Sequence, residues 1–386
     1  MRVAIISCPF QTSYGAYVDS LKQAIERKTG GTVQWLGSNC GCGNPTEVNR
    51  GFQIQGCQYF EMPNISDYRS TRPWRRWLRV RVRSLFCYFR ARKYGSLSKA
   101  AELVHFQQIL NAYGSDVVFH WLNQPSRAAR VITVHELDSR QLESPERNQT
   151  YNKADAIIVH DSALRDQLVH LGVDPHRVAV VLHGTELPAL EGKQPREGII
   201  FYGGHHLMSG KGLSTLFKAM ALLKKRMGVN APKLKVHGHF GSDTPEEAKQ
   251  LAREYGVEND IVWLNQITQQ EIFRQYQTSL ICVLPYSGGF AGFAASTAAA
   301  AELPVIATKN AAIPEHIGDC GIWVDNDNAE QLAERIVEVL GSQALRSDVA
   351  RRLRKRAEEY LSWDKIADST LAIYQQALRR RMESAN

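Results

Sequence analysis

Residues 284–308, LPYSGGFAGFAASTAAAAELPVIAT, restrict the possible folds more than any other stretch of the chain. An apolar run of strand length, 280–284, stops at Pro285. A Ser287-Gly288-Gly289 turn follows, then small residues from Ala294 to Ala301, then a second strand-like run ending at Thr308. A strand that feeds a glycine turn and then a helix leaves the first N–H groups of that helix unpaired, at the positive end of its dipole. Such a corner seats an anion, most often a phosphate. The alanines let the helix lie close on a sheet and keep the seat rigid. The plainer reading of the same pattern is a close-packed strand–helix–strand unit with no ligand, since a glycine-rich turn alone is a weak signal.

The same alternation runs through the chain. Residues 1–7 read as a strand, 8–15 as a loop and 16–28 as a helix with Val18, Leu21 and Ile25 on one face, so Tyr14-Gly15-Ala16 is a candidate ligand corner. Residues 30–62 are rich in Gly, Asn, Cys and Gln and give no assignable strand. Residues 117–121, 131–134 and 156–159 read as short buried strands, the last two followed by His135 and His160. His135 stands just past the carboxyl end of a strand, where ligands gather in open α/β sheets. His160 precedes Asp161 and Ser162, either of which caps the next helix. A histidine in either place also serves as a purely structural residue.

A strand at 178–182 ends in His183-Gly184-Thr185-Glu186, and a polar connection bearing Pro and Gly follows at 187–198. The domain boundary is placed there: 1–190 as a first domain, 191–362 as a second, and 363–386 as a terminal helix. Strands at 199–202, 234–237, 261–264 and 280–284 alternate with helices at 213–227, 245–255 and 269–277, which predicts an α/β fold of two Rossmann-like domains. In the GGHHLMSGKG loop, Gly203, Gly204 and Gly210 let backbone approach an anion, and Lys211 adds a cation at a helix start. The spacing is not that of a Walker loop.

A chain of 386 residues is long enough for two separate cores. No window approaches the roughly 18 unbroken apolar residues of a membrane span, and the apolar start is too short for a signal peptide, so the chain is expected in the cytoplasm. The seven cysteines are scattered and odd in number, which suits free thiols. Cys40, Cys42 and Cys57 lack a partner pair of metal-ligand spacing, and no metal is expected. Formal net charge is +8, and eleven Lys or Arg with no acid lie between Tyr68 and Ala101. There Trp74, Trp77, Leu78, Val82, Leu85, Phe86 and Phe89 recur at helical spacing, with Arg75, Arg76, Arg79, Arg83 and Arg90 on the remaining surface. Such a helix either lies in a membrane interface, at the inner face, or packs between elements with its arginines toward water or a polyanionic acceptor. Trp74, Arg75, Arg76, Trp77 and Arg79 are the candidate acceptor or membrane contacts. Nucleic acid is not an expected partner, because no recognised binding module accompanies the arginines.

Read in order, residues 199–374 resemble the retaining GT-B glycosyltransferases of family 4, which transfer a sugar from a nucleotide-sugar, and the likeness extends over most of the chain. FYGGHHLMSGKG supplies Leu207, Lys211 and Gly212 of the family's first signature, with His205 and His206 where Gly and Arg are expected and Gly204 one place early. VWLNQITQQEIFRQYQTSLICVLPYS is similar to the segment carrying the base-facing loop, here Gln266 and Ile267. PVIATKNAAIPEHIGDCGIWV is similar to the Pro-Glu segment, with Glu315 in the matching position, and LSWDKIADSTLAIY matches the final helix. The two glutamates of the family motif fall on Gly289 and Thr297, so neither carboxylate is present. Gly292, Pro304 and Val305 keep the frame, and Phe290 lies one place before the family's Phe. His135 matches the histidine that the family places near the donor sugar, and Gly15 its loop near the phosphates.

The resemblance implies a GT-B fold, two Rossmann-like domains facing across a cleft and closed by the last helix. It also implies sugar transfer with retention, needing no metal or cofactor beyond the nucleotide-sugar donor. Gly15, Gly204, Gln266, Ile267, Gly288, Gly289, Phe290, Ala291 and Thr297 are the expected donor contacts, Thr297 through a neutral hydrogen bond to the ribose. Lys211 and the amides of residues 288–291 are expected to stabilise the departing diphosphate. His206 stands in for an arginine with pH-dependent charge, and His135 completes the expected catalytic set. The acceptor is expected to be anionic or lipid-linked. Two rival readings share the fold: a non-catalytic nucleotide-sugar sensor or partner protein, and an epimerase or inverting transferase.

Overall fold

The computed structural model describes residues 1–7, 12–38, 57–60, 73–108, 112–135, 137, 148–190, 195–204, 207–208, 210–238, 245–264, 267, 269–288, 292–310 and 312–384. The chain divides into two compact units, Met1–Val181 with Trp363–Asn386, and Leu182–Ser362. The first boundary therefore precedes the polar connection at which it was expected. The reason is local: His183 N donates to His316 Nε2 at 3.0 Å and Thr185 N to Leu361 O at 2.8 Å, both partners in the second unit.

Among the described residues of the first unit, strands β1 (Val3–Ser7), β2 (Val33–Ser38), β3 (Cys57–Phe60), β4 (Leu103–Gln108), β5 (Ala129–Val134), β6 (Ala156–Val159) and β7 (Val178–Val180) form one parallel sheet. Its order is β3-β2-β1-β4-β5-β6-β7. Val3 lies opposite Val33 on one side and Leu103 on the other, so the winding reverses between β1 and β4. Parallel strands covered on both faces read as continuous apolar runs, and β1 and β5 are buried throughout. Helices α1 (Thr12–Thr29), α2 (Pro73–Leu97), α3 (Ala112–Leu122) and α4 (Ser162–His170) connect them. Asp161 caps α4 as expected, accepting from Leu164 N at 2.7 Å.

The second unit holds α5 (Leu213–Met227), α6 (Glu246–Glu254), α7 (Gln269–Gln277), α8 (Gly292–Ala300), α9 (Ile313–Ile317), α10 (Ala329–Gly341) and α11 (Gln343–Arg356). Its described strands are β8 (Ile199–Gly204), β9 (Leu234–Gly238), β10 (Ile261–Leu264), β11 (Ile281–Leu284), β12 (Val305–Thr308) and β13 (Ile322–Val324), again parallel, in the order β10-β9-β8-β11-β12-β13. The winding reverses between β8 and β11. The last helix, α12 (Trp363–Glu383), returns to the first unit and packs on α1, with Arg27 and Lys28 paired to Asp364 and Asp368 at 2.9 and 2.8 Å.

Four expectations are corrected. Residues 117–121 belong to α3, and the strand lies upstream at β4. A short apolar run does not separate a buried strand from a buried helix, and His105 and Gln107 broke the apolar pattern of the true strand. Residues 30–62 contain β2 and β3, whose alternating Gln, Gly and Ser masked them. Helix α1 starts at Thr12, so Gly15 is buried in its first turns and not in a loop.

Among the described side chains of α2, the inward face differs from the expected stripe. Cys87, Ala91 and Tyr94 are buried with Arg90, while Leu85 and Phe89 stand 54% and 52% exposed. It packs on α3, and small side chains at Cys87 and Ala91 permit that approach where the large apolar ones do not.

Candidate functional site

In an open parallel sheet, ligands gather beyond the carboxyl ends of the strands where the winding reverses. In the second unit that place is flanked by the loops after β8 and β11. Those loops are stitched together: Gly210 O accepts from both Ser287 N and Gly288 N at 3.1 Å. Gly212, at φ +65°, is packed so tightly on the turn that a Cβ there would lie 1.8 Å from Pro285 O. No side chain fits this position, which is why glycine opens α5.

Lys211, between these glycines, is 8% exposed. Its Nζ lies 4.3 Å from the centroid of the Tyr286 ring, a cation–π contact in a largely water-free setting. Tyr286 is itself fixed at both ends. Its hydroxyl donates to Tyr202 O, and its carbonyl accepts from Thr308 Oγ1 at 2.5 Å and Asn310 Nδ2 at 2.8 Å. Burial raises the Tyr286 phenol well above its usual range, so the ring stays neutral beneath the ammonium.

The expected donor contacts divide three ways. Gly204 ends β8 at φ +62°, Gly288 lies in the stitched turn, and Ile267 packs on the core of the second unit. The Gly288 N–H already serves Gly210 O, so it is not an open donor for a diphosphate. Thr297 is fully buried in α8 and its hydroxyl bonds back to Phe293 O at 2.8 Å, which withdraws it from a ribose in this arrangement. His206, Gln266, Gly289, Phe290 and Ala291 lie outside the described residues. So do the side chains of Trp74, Arg75, Arg76, Trp77 and Arg79, whose positions fall in α2. Glu315 lies in α9, whose carboxyl end is held by Arg356: Nη2 donates to Glu315 O at 2.7 Å and Nε to His316 O at 2.8 Å.

In the first unit, His135 follows β5 as expected, but both its ring nitrogens are occupied. Nε2 meets Gln107 Oε1 at 2.9 Å and Nδ1 meets His160 Nε2 at 3.1 Å. The chain of contacts continues from Gln107 Nε2 to His105 Nε2 at 3.2 Å, and from His105 Nδ1 to Tyr374 Oη of α12 at 2.7 Å. His160 Nδ1 faces the Val181 carbonyl at 2.8 Å and must donate to it. A neutral His160 therefore accepts at Nε2, which makes His135 Nδ1 the donor. A neutral His135 then needs a donor at Nε2, supplied when the Gln107 amide is turned to present its NH2, an assignment that rests on the network. Burial pulls His105 to about 3 and His160 to about 4, so both are neutral near pH 7. Tyr17 packs edge-on to both His135 and His160, with ring centroids 5.3 Å away.

Sequence reasoning missed His105, Gln107, Tyr286 and Tyr374. The signal for the first pair was their i, i+2 spacing, which puts both on one face of a strand. Among the described residues no three His, Cys, Asp or Glu side chains converge as metal ligands. Nor is any helix among them long and apolar enough to cross a membrane.

Two family models match the chain: glycosyl transferases group 1 over residues 186–359, and glycosyltransferase family 4 over residues 48–187. A D-inositol 3-phosphate glycosyltransferase of Rhodococcus opacus is 28% identical over 59% of this chain and 55% of its own length. An MMP alpha-(1->4)-mannosyltransferase of Mycolicibacterium hassiacum is 25% identical over 58% of this chain and 54% of its own length. The chain thus spans little more than half the length of these relatives. Among solved structures, sucrose-phosphate synthase from Thermosynechococcus elongatus superposes with a TM-score of 0.74 at 18% identity, covering 98% of this chain and 99% of the other. HepE from Anabaena, in complex with UDP, gives 0.67 at 14% identity, covering 96% and 99%. These two show the fold, and the two family models together run from residue 48 to residue 359; the chain belongs to the GT-B glycosyltransferases of family 4.

Proposed function

We propose that the chain transfers a sugar from a nucleoside-diphosphate sugar to an acceptor, with retention and without a bound metal. The observation that carries this reading is the stitched corner at the switch point of the second unit, which holds a desolvated ammonium beside the start of a helix. Glycosyl transfer develops negative charge on the departing diphosphate, and preorganised donors and cations aimed at that charge lower the barrier. Lys211 supplies the cation. With the Gly288 amide already engaged, the remaining N–H groups at the start of α8 supply the dipole and the donors. His135, with both nitrogens engaged, acts by holding the ring network in place more readily than by exchanging a proton with substrate.

The acceptor is proposed to be anionic or lipid-linked. The Rhodococcus relative is named for a phosphate-bearing acceptor, and α2 exposes Leu85 and Phe89 beside a polybasic run. That pairing suits reversible contact with an anionic membrane surface. A cytoplasmic setting accords with the free thiols Cys57, Cys87, Cys282 and Cys320. Partitioning onto vesicles of phosphatidylcholine with phosphatidylglycerol should fall when Leu85 and Phe89 are both replaced by serine; unchanged partitioning would count against membrane contact.

A thermal-shift screen with UDP, GDP, ADP and TDP tests the donor class, since a ligand of the folded state alone raises Tm. Lys211→Gln should weaken the preferred nucleotide about tenfold or more, the value of one charge-assisted hydrogen bond. Unchanged affinity would remove Lys211 from the site. Nucleotide-sugar binding with no product across a panel of acceptors would favour a sensor, a reading to which the buried hydroxyl of Thr297 lends some weight.

A further inference from the structure

The end of the first sheet remote from His135 holds a hollow of about 1050 Å3 with a different chemistry. It opens where β4 and β5 begin, among the last turns of α2, the end of α3 and the last turns of α12. The six residues of β5 place roughly 20 Å of strand between it and His135. It is not part of the corner proposed to bind the donor, and it does not depend on that reading.

Its walls are basic. Arg92, Lys99, Arg127, Arg130 and Arg381 line it together with one carboxylate, Glu102, which accepts the Arg2 N–H at 2.6 Å. Asp155, outside the lining, accepts the Arg130 backbone N–H at 2.7 Å. Arg130 is 4% exposed and rigidly held. Its Nη1 donates to Leu122 O at 2.7 Å, its Nη2 donates to Gln124 O, and the guanidinium sits 5.3 Å from the Trp121 ring centroid. That geometry caps the last carbonyls of α3 and leaves Nε buried without an acceptor. Gln124 Nε2, also in the lining, is buried and unpartnered as well. Both nitrogens are sealed within the wall and present no surface to the hollow, whose charge comes from the side chains around it.

We infer that this hollow binds a phosphate-bearing ligand, with Arg92, Lys99, Arg127 and Arg381 as the cations around it. The excess of cations over carboxylates suits a dianion. Tetrahedral oxygens reach donors arranged around a hollow, where a planar carboxylate is matched best by a single fork. Met382, 61% exposed at the rim, offers apolar surface beside the charge. The same chemistry is carried by a soluble phosphorylated molecule and by the headgroup of an anionic lipid.

Both sources are tested with the full chain. Inorganic phosphate is titrated by equilibrium dialysis at fixed ionic strength, and vesicles of phosphatidylcholine with and without phosphatidylglycerol are tested by sedimentation. The double variant Lys99→Gln/Arg127→Gln should weaken binding about tenfold or more, and Lys225→Gln, at an exposed lysine of α5 outside both sites, should leave it unchanged. Ser96→Trp, which fills the hollow from the exposed side of α2 without altering charge, should weaken it as well. Thermal unfolding of each variant checks that the fold is retained. Phosphate binding that depends on these residues supports a soluble ligand. Sedimentation that depends on both phosphatidylglycerol and these residues supports a headgroup. The inference is overturned if wild type binds neither probe, or if the hollow variants bind both as wild type does.

Discussion

Gly212→Ala probes the corner of the second unit through backbone alone, without touching a charge. Gly212 sits at φ +65°, where an L-residue costs roughly 1–2 kcal/mol. Its new Cβ would lie 1.8 Å from Pro285 O and 2.8 Å from Pro285 C. Ordinary contact is then missed by roughly 1.5 Å, and the loop bearing Lys211 must separate from the glycine turn by about that distance. A misplacement near 1 Å in a catalytic arrangement costs on the order of a hundredfold in rate.

Gly256→Ala is the control. Gly256 shares the left-handed backbone, at φ +66°, but nothing lies within 4 Å of its Cβ position. Urea unfolding should show both variants destabilised, Gly256→Ala by about 1–2 kcal/mol and Gly212→Ala by more. Calorimetric titration of the nucleotide selected by thermal shift, together with sugar transfer from its sugar conjugate, should separate them: near wild type for Gly256→Ala, and about a hundredfold slower transfer for Gly212→Ala. If Gly212→Ala binds and transfers as well as Gly256→Ala, the contact between the two loops does not position the donor.

The remaining predictions concern the histidine network. His105 and His160 are held to about 3 and about 4 in the folded protein, against an ordinary 6.5, so the unfolded chain binds more protons between those values. Stability from both is fully present above about pH 6.5 and is lost as pH falls toward 4, approaching about 2.7 kcal/mol per pH unit for the pair. Urea unfolding between pH 7 and pH 5 measures the slope. It should shrink by about half in His105→Gln, and a flat profile in wild type would contradict neutral burial. Tyr374→Phe removes the hydroxyl 2.7 Å from His105 Nδ1 and should cost about 1–3 kcal/mol with the ring packing intact. Chemical denaturation giving no loss would show that the ring nitrogen finds another partner.

The second unit was nearly transparent to sequence reading. Its strands are short apolar runs bounded by turn residues, and α5 and α7 appear at the residues their periodicity indicates. Lys211 and the glycine corner were legible because backbone geometry demands particular residues there. The first unit was less so. The polar β4 and the Gln- and Gly-bearing β2 hid their strands, while α3 imitated one.

The sequence by itself determined the class of fold, the two-part division, and the loops that flank the second switch point. These follow from local periodicity and from glycines where no side chain fits. Tertiary structure alone decided which face of α2 is buried, that Tyr286 lies beneath Lys211, that Thr297 spends its hydroxyl on its own helix, and that His105, Gln107, His135, His160 and Tyr374 share one network. The physical reason is that these depend on fit between elements distant in sequence. Apolar character says that a side chain will seek cover; only the shape of the partner face says which side chain obtains it.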